Sequence, residues 1–157
     1  MTPPGDARGL TPGEAALAAR LFGDALDPAP VRLHRRRWWP LQRPGTVMAP
    51  DGHLWFHPRC PLYREDYSQA GRGLRGLFVH ELTHVWQYQS GRNLIAARGL
   101  FARYRYRLVP GKPLEGYGIE QQAEIIRDAY LLGEGAAPPD APPRAAYAAV
   151  LPFILWT

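Results

Sequence analysis

Cysteine is almost missing from this chain. Cys60 stands alone in 157 residues, which excludes an internal disulfide and any cysteine-built zinc knuckle. It is expected as a small core residue, with a thiolate cap on a metal as the other role left open. Lysine is as scarce: Lys112 is the only one among 19 Lys and Arg. Long apolar runs are lacking too. Ala15 to Phe22 is interrupted by Arg20, and Ala145 to Trp156 is short and broken by Pro152. The sequence therefore predicts neither a signal peptide nor a membrane span. It predicts a soluble protein made in the cytoplasm, and export by a specialised secretion machine leaves no such mark. With 46% hydrophobic residues and no internal repeat, residues 1–157 suit one domain around one core.

What is present is His80-Glu81-Leu82-Thr83-His84. On a helix each residue advances about 100°, so His80 and His84 lie roughly 40° apart around the axis and about 6 Å along it. Both can reach one zinc ion. Glu81 points about 100° away from His80, off the ligand line, where a carboxylate can serve as general base towards the water such an ion activates. The surrounding residues predict the helix itself. Leu74, Phe78, Leu82 and Val85 follow the i, i+4, i+8, i+11 spacing of one apolar face, and Leu77, Val79 and Trp86 make the other faces apolar too. A helix so buried would hold two His and a Glu at a cost unless they had partners. Gly91 suits the left-handed position that ends it.

Catalytic zinc sites take three protein ligands, so one must come from elsewhere. Residues 118–128 read as a second helix whose stripe Ile119, Ala123, Ile126 and Tyr130 faces the core. Glu120 projects about 60° from Ala123 at the centre of that stripe and Glu124 about 100°, which gives Glu120 the better access to a buried ion. Glu124, one turn on, can accept the free N–H of a ligating His and fix its ring. The alternative slides everything by one turn, with Glu124 as ligand and Asp128 as its support.

His80-Glu81-Leu82-Thr83-His84 followed by Glu120-x-x-Ala123-Glu124 resembles the gluzincin arrangement of metallopeptidases. That resemblance implies zinc held by His80, His84 and Glu120, Glu81 as catalytic base, and Glu124 orienting a ligating His. More narrowly, the stretches His34 to Pro40 and Met48 to Pro58, together with the Glu120 helix, resemble small bacterial proteins called Vgr-related. These are zincin-like peptidases linked by name to the Rhs and Vgr secretion components, so the resemblance implies a peptide or protein substrate and a secretion-system association.

Elsewhere, Thr11-Pro12-Gly13-Glu14 is a capping box with Pro at the first helical position, opening a helix to about Phe22. Val31 to Trp39, Thr46 to Ala49 and His53 to His57 read as strands, the last entered through Pro50-Asp51-Gly52. The sequence thus predicts an α+β, zincin-like fold in which a small antiparallel sheet packs on the metal helix and the glutamate helix. His53 to His57 is the expected substrate-pairing edge, with its two His exposed on one face and a separate metal site as the other role left open. Residues 133–143 form a Pro/Ala-rich linker to a last helix from Arg144 to Ile154. Tyr117, Tyr106 and His57 are all open as oxyanion donors. The net charge of +5, with Arg35-Arg36-Arg37-Trp38-Trp39 and the Arg103 to Arg107 ladder, suggests nucleic-acid binding as a rival function, although no helix-turn-helix or zinc-knuckle pattern supports it. A further rival is a catalytically inactive zincin-like module of a secretion or phage-like particle. An intact Glu81 speaks against it.

Overall fold

Glu14 anchors the N-terminal third of the molecule. Its carboxylate accepts from the Thr11 N–H at 2.9 Å while Thr11 Oγ1 accepts from the Glu14 N–H at 3.1 Å, closing the capping box that opens α1 (Pro12–Phe22). The helix spans the range its sequence predicts. Glu14 is nevertheless fully buried, which a capping residue need not be, because it also accepts two hydrogen bonds from Arg8 at 2.7 and 2.9 Å and one from the Tyr67 N–H at 2.8 Å.

A computed structural model of the chain describes residues 1–152. In chain order its elements are β1 (Ala7–Arg8), α1, β2 (Leu33–His34), β3 (Val47–Met48), β4 (Leu54–Phe56), α2 (Arg72–Gln89), α3 (Leu94–Arg98), α4 (Ile119–Gly133) and α5 (Arg144–Val150), an α+β arrangement. No helix of the described residues is long and apolar enough to cross a membrane. α5 ends at Val150, short of Leu151 and Pro152, which the sequence assigns to the last helix, and residues 153 and 154 of that expected helix lie outside the described residues.

The sheet corrects three expectations. Its order is β1-β2-β4-β3, and it is mixed: β2 runs parallel to β4, while β1–β2 and β3–β4 are antiparallel. The chain leaves β2 at His34, because Arg35 turns inward to donate to the Thr2 and Pro58 carbonyls at 2.6 and 3.1 Å, and it returns as β3 on the far side of β4. The long strand expected over Val31 to Trp39 is thereby cut to two residues. β4 is central rather than an edge, so Leu54, Trp55 and Phe56 are all buried and the edge strands are β1 and β3. Gly52, with φ +83°, makes the turn from β3 into β4.

One core joins these parts. Leu17 and Leu21 of α1, Leu33 and Leu54 of the sheet, Phe78 and Leu82 of α2, and Ile125 and Ile126 of α4 are all buried in it. Cys60 belongs to this cluster and to no metal-ligating group among the described residues. α2 and α4 approach closely because Gly76 leaves room: a Cβ there would meet the Leu131 methyls at 3.2 Å. α2 ends as expected at a left-handed Gly91, whose N–H reaches the Tyr88 carbonyl while that of Arg92 reaches Gln87.

Candidate metal centre

α2 and α4 bring three donor atoms to one point. His80 Nε2 lies 3.1 Å from Glu120 Oε2, His84 Nε2 lies 3.0 Å from the same oxygen, and the two nitrogens are 3.2 Å apart. All three residues are buried. A tetrahedral zinc with bonds of about 2.0–2.1 Å separates its ligands by about 3.3 Å, so the spacing matches a zinc-sized ion.

The tautomers sharpen this fit. Gln87 Nε2 donates to the Ile119 carbonyl and to Gln122 Oε1, both at 3.0 Å, which turns Gln87 Oε1 towards His84 Nδ1 at 2.9 Å. His84 Nδ1 therefore carries the proton, and Nε2 offers a lone pair. His80 Nδ1 lies 3.0 Å from Glu124 Oε1, which makes it a donor in the same way. Two imidazole lone pairs and a carboxylate oxygen then converge on one spot, and only a cation relieves their repulsion. Without a metal that cation is a proton. Burial pulls the His80 pKa down, but hydrogen bonds to Glu120 and Glu124 outweigh it and raise the value to about 10. Burial likewise opposes ionisation of Glu120, yet the two His hold it well below the usual carboxylate range.

Glu81 differs from its neighbours. It is buried, and it does not belong to the three donors that converge on one point. Burial raises its pKa, and the nearby His80 and His84 only partly oppose that. The carboxylate lines a cleft of about 460 Å³ together with His80, His84 and Glu120.

The sequence's other candidates are placed elsewhere. Asp128 accepts from the Tyr106 hydroxyl at 2.7 Å and pairs with Arg127 at 3.1 Å, away from the three converging donors. Tyr106 is thus engaged with Asp128 and with Tyr147 at 2.8 Å, while Tyr117 accepts from the Val109 N–H at 2.9 Å. His57, expected on an exposed face, is buried, with its ring nitrogens against Arg37 and the Arg59 N–H. His53 accepts from the Arg32 N–H at 3.2 Å. None of Tyr106, Tyr117 and His57 lines the cleft, whereas Arg98 and Tyr104 do. Sequence reading missed Gln87, although a Gln three residues after a ligand-type His, on a helix apolar all round, is the signal that finds it. The arginine run packs its side chains on neighbouring rings: Arg35 lies over Tyr63, Arg36 over Trp55, and Arg37 against His57.

No protein-family model matches the chain. It is 41% identical over 142 residues to the type VI secretion system spike protein VgrG2b of Pseudomonas aeruginosa, covering 83% of this chain and 14% of that protein. The chain thus spans about one seventh of that relative's length. Among solved structures, the effector domain of Pseudomonas aeruginosa VgrG2b superposes with a TM-score of 0.78 at 39% identity, covering 91% of this chain and 83% of that one. With the same architecture and this level of identity across most of both chains, the protein belongs to the bacterial family of the VgrG2b effector domain.

Proposed function

We propose that the chain is a zincin-like, zinc-dependent peptidase, and that it works in association with a type VI secretion system as its relative's name implies. The observation that carries the reading is Glu81. A carboxylate that lines the same cleft as three converging metal-type donors, without being one of them, is placed for proton transfer rather than for ligation.

His80, His84 and Glu120 would hold the ion, and zinc bound there supplies Lewis acidity towards a peptide carbonyl and makes a nearby water acidic. Glu81 takes the proton of the attacking water and returns it to the leaving amine, a role its raised pKa favours. Glu124 and Gln87 keep the two imidazoles in the ligating tautomer. β3 borders the same cleft through Val47 and Met48, and its unpaired side offers main-chain groups to an extended substrate. Arg98 and Tyr104 are the donors placed to meet a developing oxyanion.

The test is hydrolysis of a broad panel of peptides, proteins and peptidoglycan stem peptides, by wild type and by Glu81→Gln. Wild type is expected to cleave and to stop on chelation, while Glu81→Gln keeps its zinc and loses 10²- to 10⁴-fold in kcat, about the worth of a general base. Stoichiometric zinc without any cleavage contradicts the reading.

A further inference from the structure

The cleft over the metal-type donors carries an unusual share of the protein's exposed apolar surface. Among the described residues nine large apolar side chains are exposed, and four of them, Trp39, Leu41, Ile95 and Tyr104, line this one cleft at 43, 72, 62 and 44% exposure. Trp38 and Leu94 also line it. Apolar side chains gathered on the lips of one concavity gain by being covered.

Charge limits what can cover them. The cleft is lined by two cations, Arg43 and Arg98, and two carboxylates, Glu81 and Glu120. These cancel, so a divalent ion leaves the cleft with an excess of two positive charges. A lysine or arginine side chain entering there meets a net repulsion.

Resting on the peptidase reading above, we propose that the cleft selects a peptide with a large apolar residue, aromatic or aliphatic, beside the scissile bond, and rejects a basic one. Trp38, Trp39 and Leu41 from the connection between β2 and β3, with Leu94 and Ile95 from α3, are the specificity-determining residues. The substrate backbone runs along β3, which places one side chain against these residues.

The zinc-loaded full chain tests this without any need for turnover. Zinc content is measured first. Calorimetry then follows binding of the hydroxamic acids of N-acetylated glycine, leucine, phenylalanine and lysine, which share one metal-directed head and differ only in side chain. The leucine and phenylalanine compounds are expected to bind at least ten-fold more tightly than the glycine compound, and the lysine compound no more tightly than glycine. Leu41→Ser and Ile95→Ser alter exposed side chains, which leaves the core untouched, and each is expected to shrink the phenylalanine advantage several-fold. Equal affinities across the series, or tightest binding of the lysine compound, overturn the specificity while leaving a zinc-loaded peptidase standing. A chain that takes up no zinc overturns the peptidase reading, and this inference with it.

Discussion

Glu124 Oε1 lies 3.0 Å from His80 Nδ1, on the side of the ring opposite the nitrogen that faces Glu120. One imidazole is thus held between two carboxylates of the same helix, one turn apart. Removing the outer one frees the ring to turn and to change tautomer. Glu124→Ala is expected to weaken zinc affinity about 10- to 100-fold. Competition with a chromogenic chelator measures it, and an unchanged affinity argues that Glu124 merely pairs with Arg127.

Arg98 Nε sits 3.4 Å from Glu120 Oε1, while Oε2 of the same carboxylate faces the two His. Arg98 therefore favours a single ligating oxygen. Arg98→Ala is expected to let both oxygens approach the ion. The cobalt-substituted protein reports this as a change in its visible absorption spectrum, and an identical spectrum in the variant contradicts it.

The metal-free cluster is held together by a proton on His80, whose pKa stands at about 10. Zinc on Nε2 displaces that proton, so uptake at pH 8 is expected to release about one proton, and apparent affinity to fall about ten-fold per unit as pH drops below 10. The sign for the metal-free fold is opposite. A raised histidine pKa contributes stability that is complete below about 6.5 and is lost as pH rises through 10. Calorimetry in buffers of different ionisation enthalpy counts the proton.

The Arg8–Glu14 pair makes a prediction about stability alone. Glu14→Ala leaves a largely buried guanidinium without its carboxylate and removes the acceptor of the Thr11 and Tyr67 amides. The expected loss is about 3–5 kcal/mol, read from denaturant unfolding. A loss near 1 kcal/mol, the worth of a helix cap alone, shows that only the cap mattered.

What the sequence made legible was local. The helix period places His80, Glu81 and His84 whatever the rest of the chain does, and the capping box and Gly91 fix helix ends through residues a few positions away. What it hid was set at long range. That β4 is central follows from β2 and β3 pairing on either side, which no pattern in Leu54 to Phe56 reveals, and so the His53 to His57 alternation read as an edge. β1 is two residues long and pairs with β2 some 25 residues on, with Arg8 tied to Glu14 and Tyr63. Glu120 was legible as a ligand candidate because its helix has a strong apolar stripe. Arg98 was not, since its role depends on a partner 22 residues away in sequence, Glu120.

Metal content of the purified chain, measured by elemental mass spectrometry after dialysis without chelator, bears most directly on the two-helix metal centre. One zinc per chain is expected in wild type and in Glu81→Gln, with most of it lost in Glu120→Ala. A wild type free of metal, or a Glu120→Ala variant that retains one zinc per chain, contradicts it.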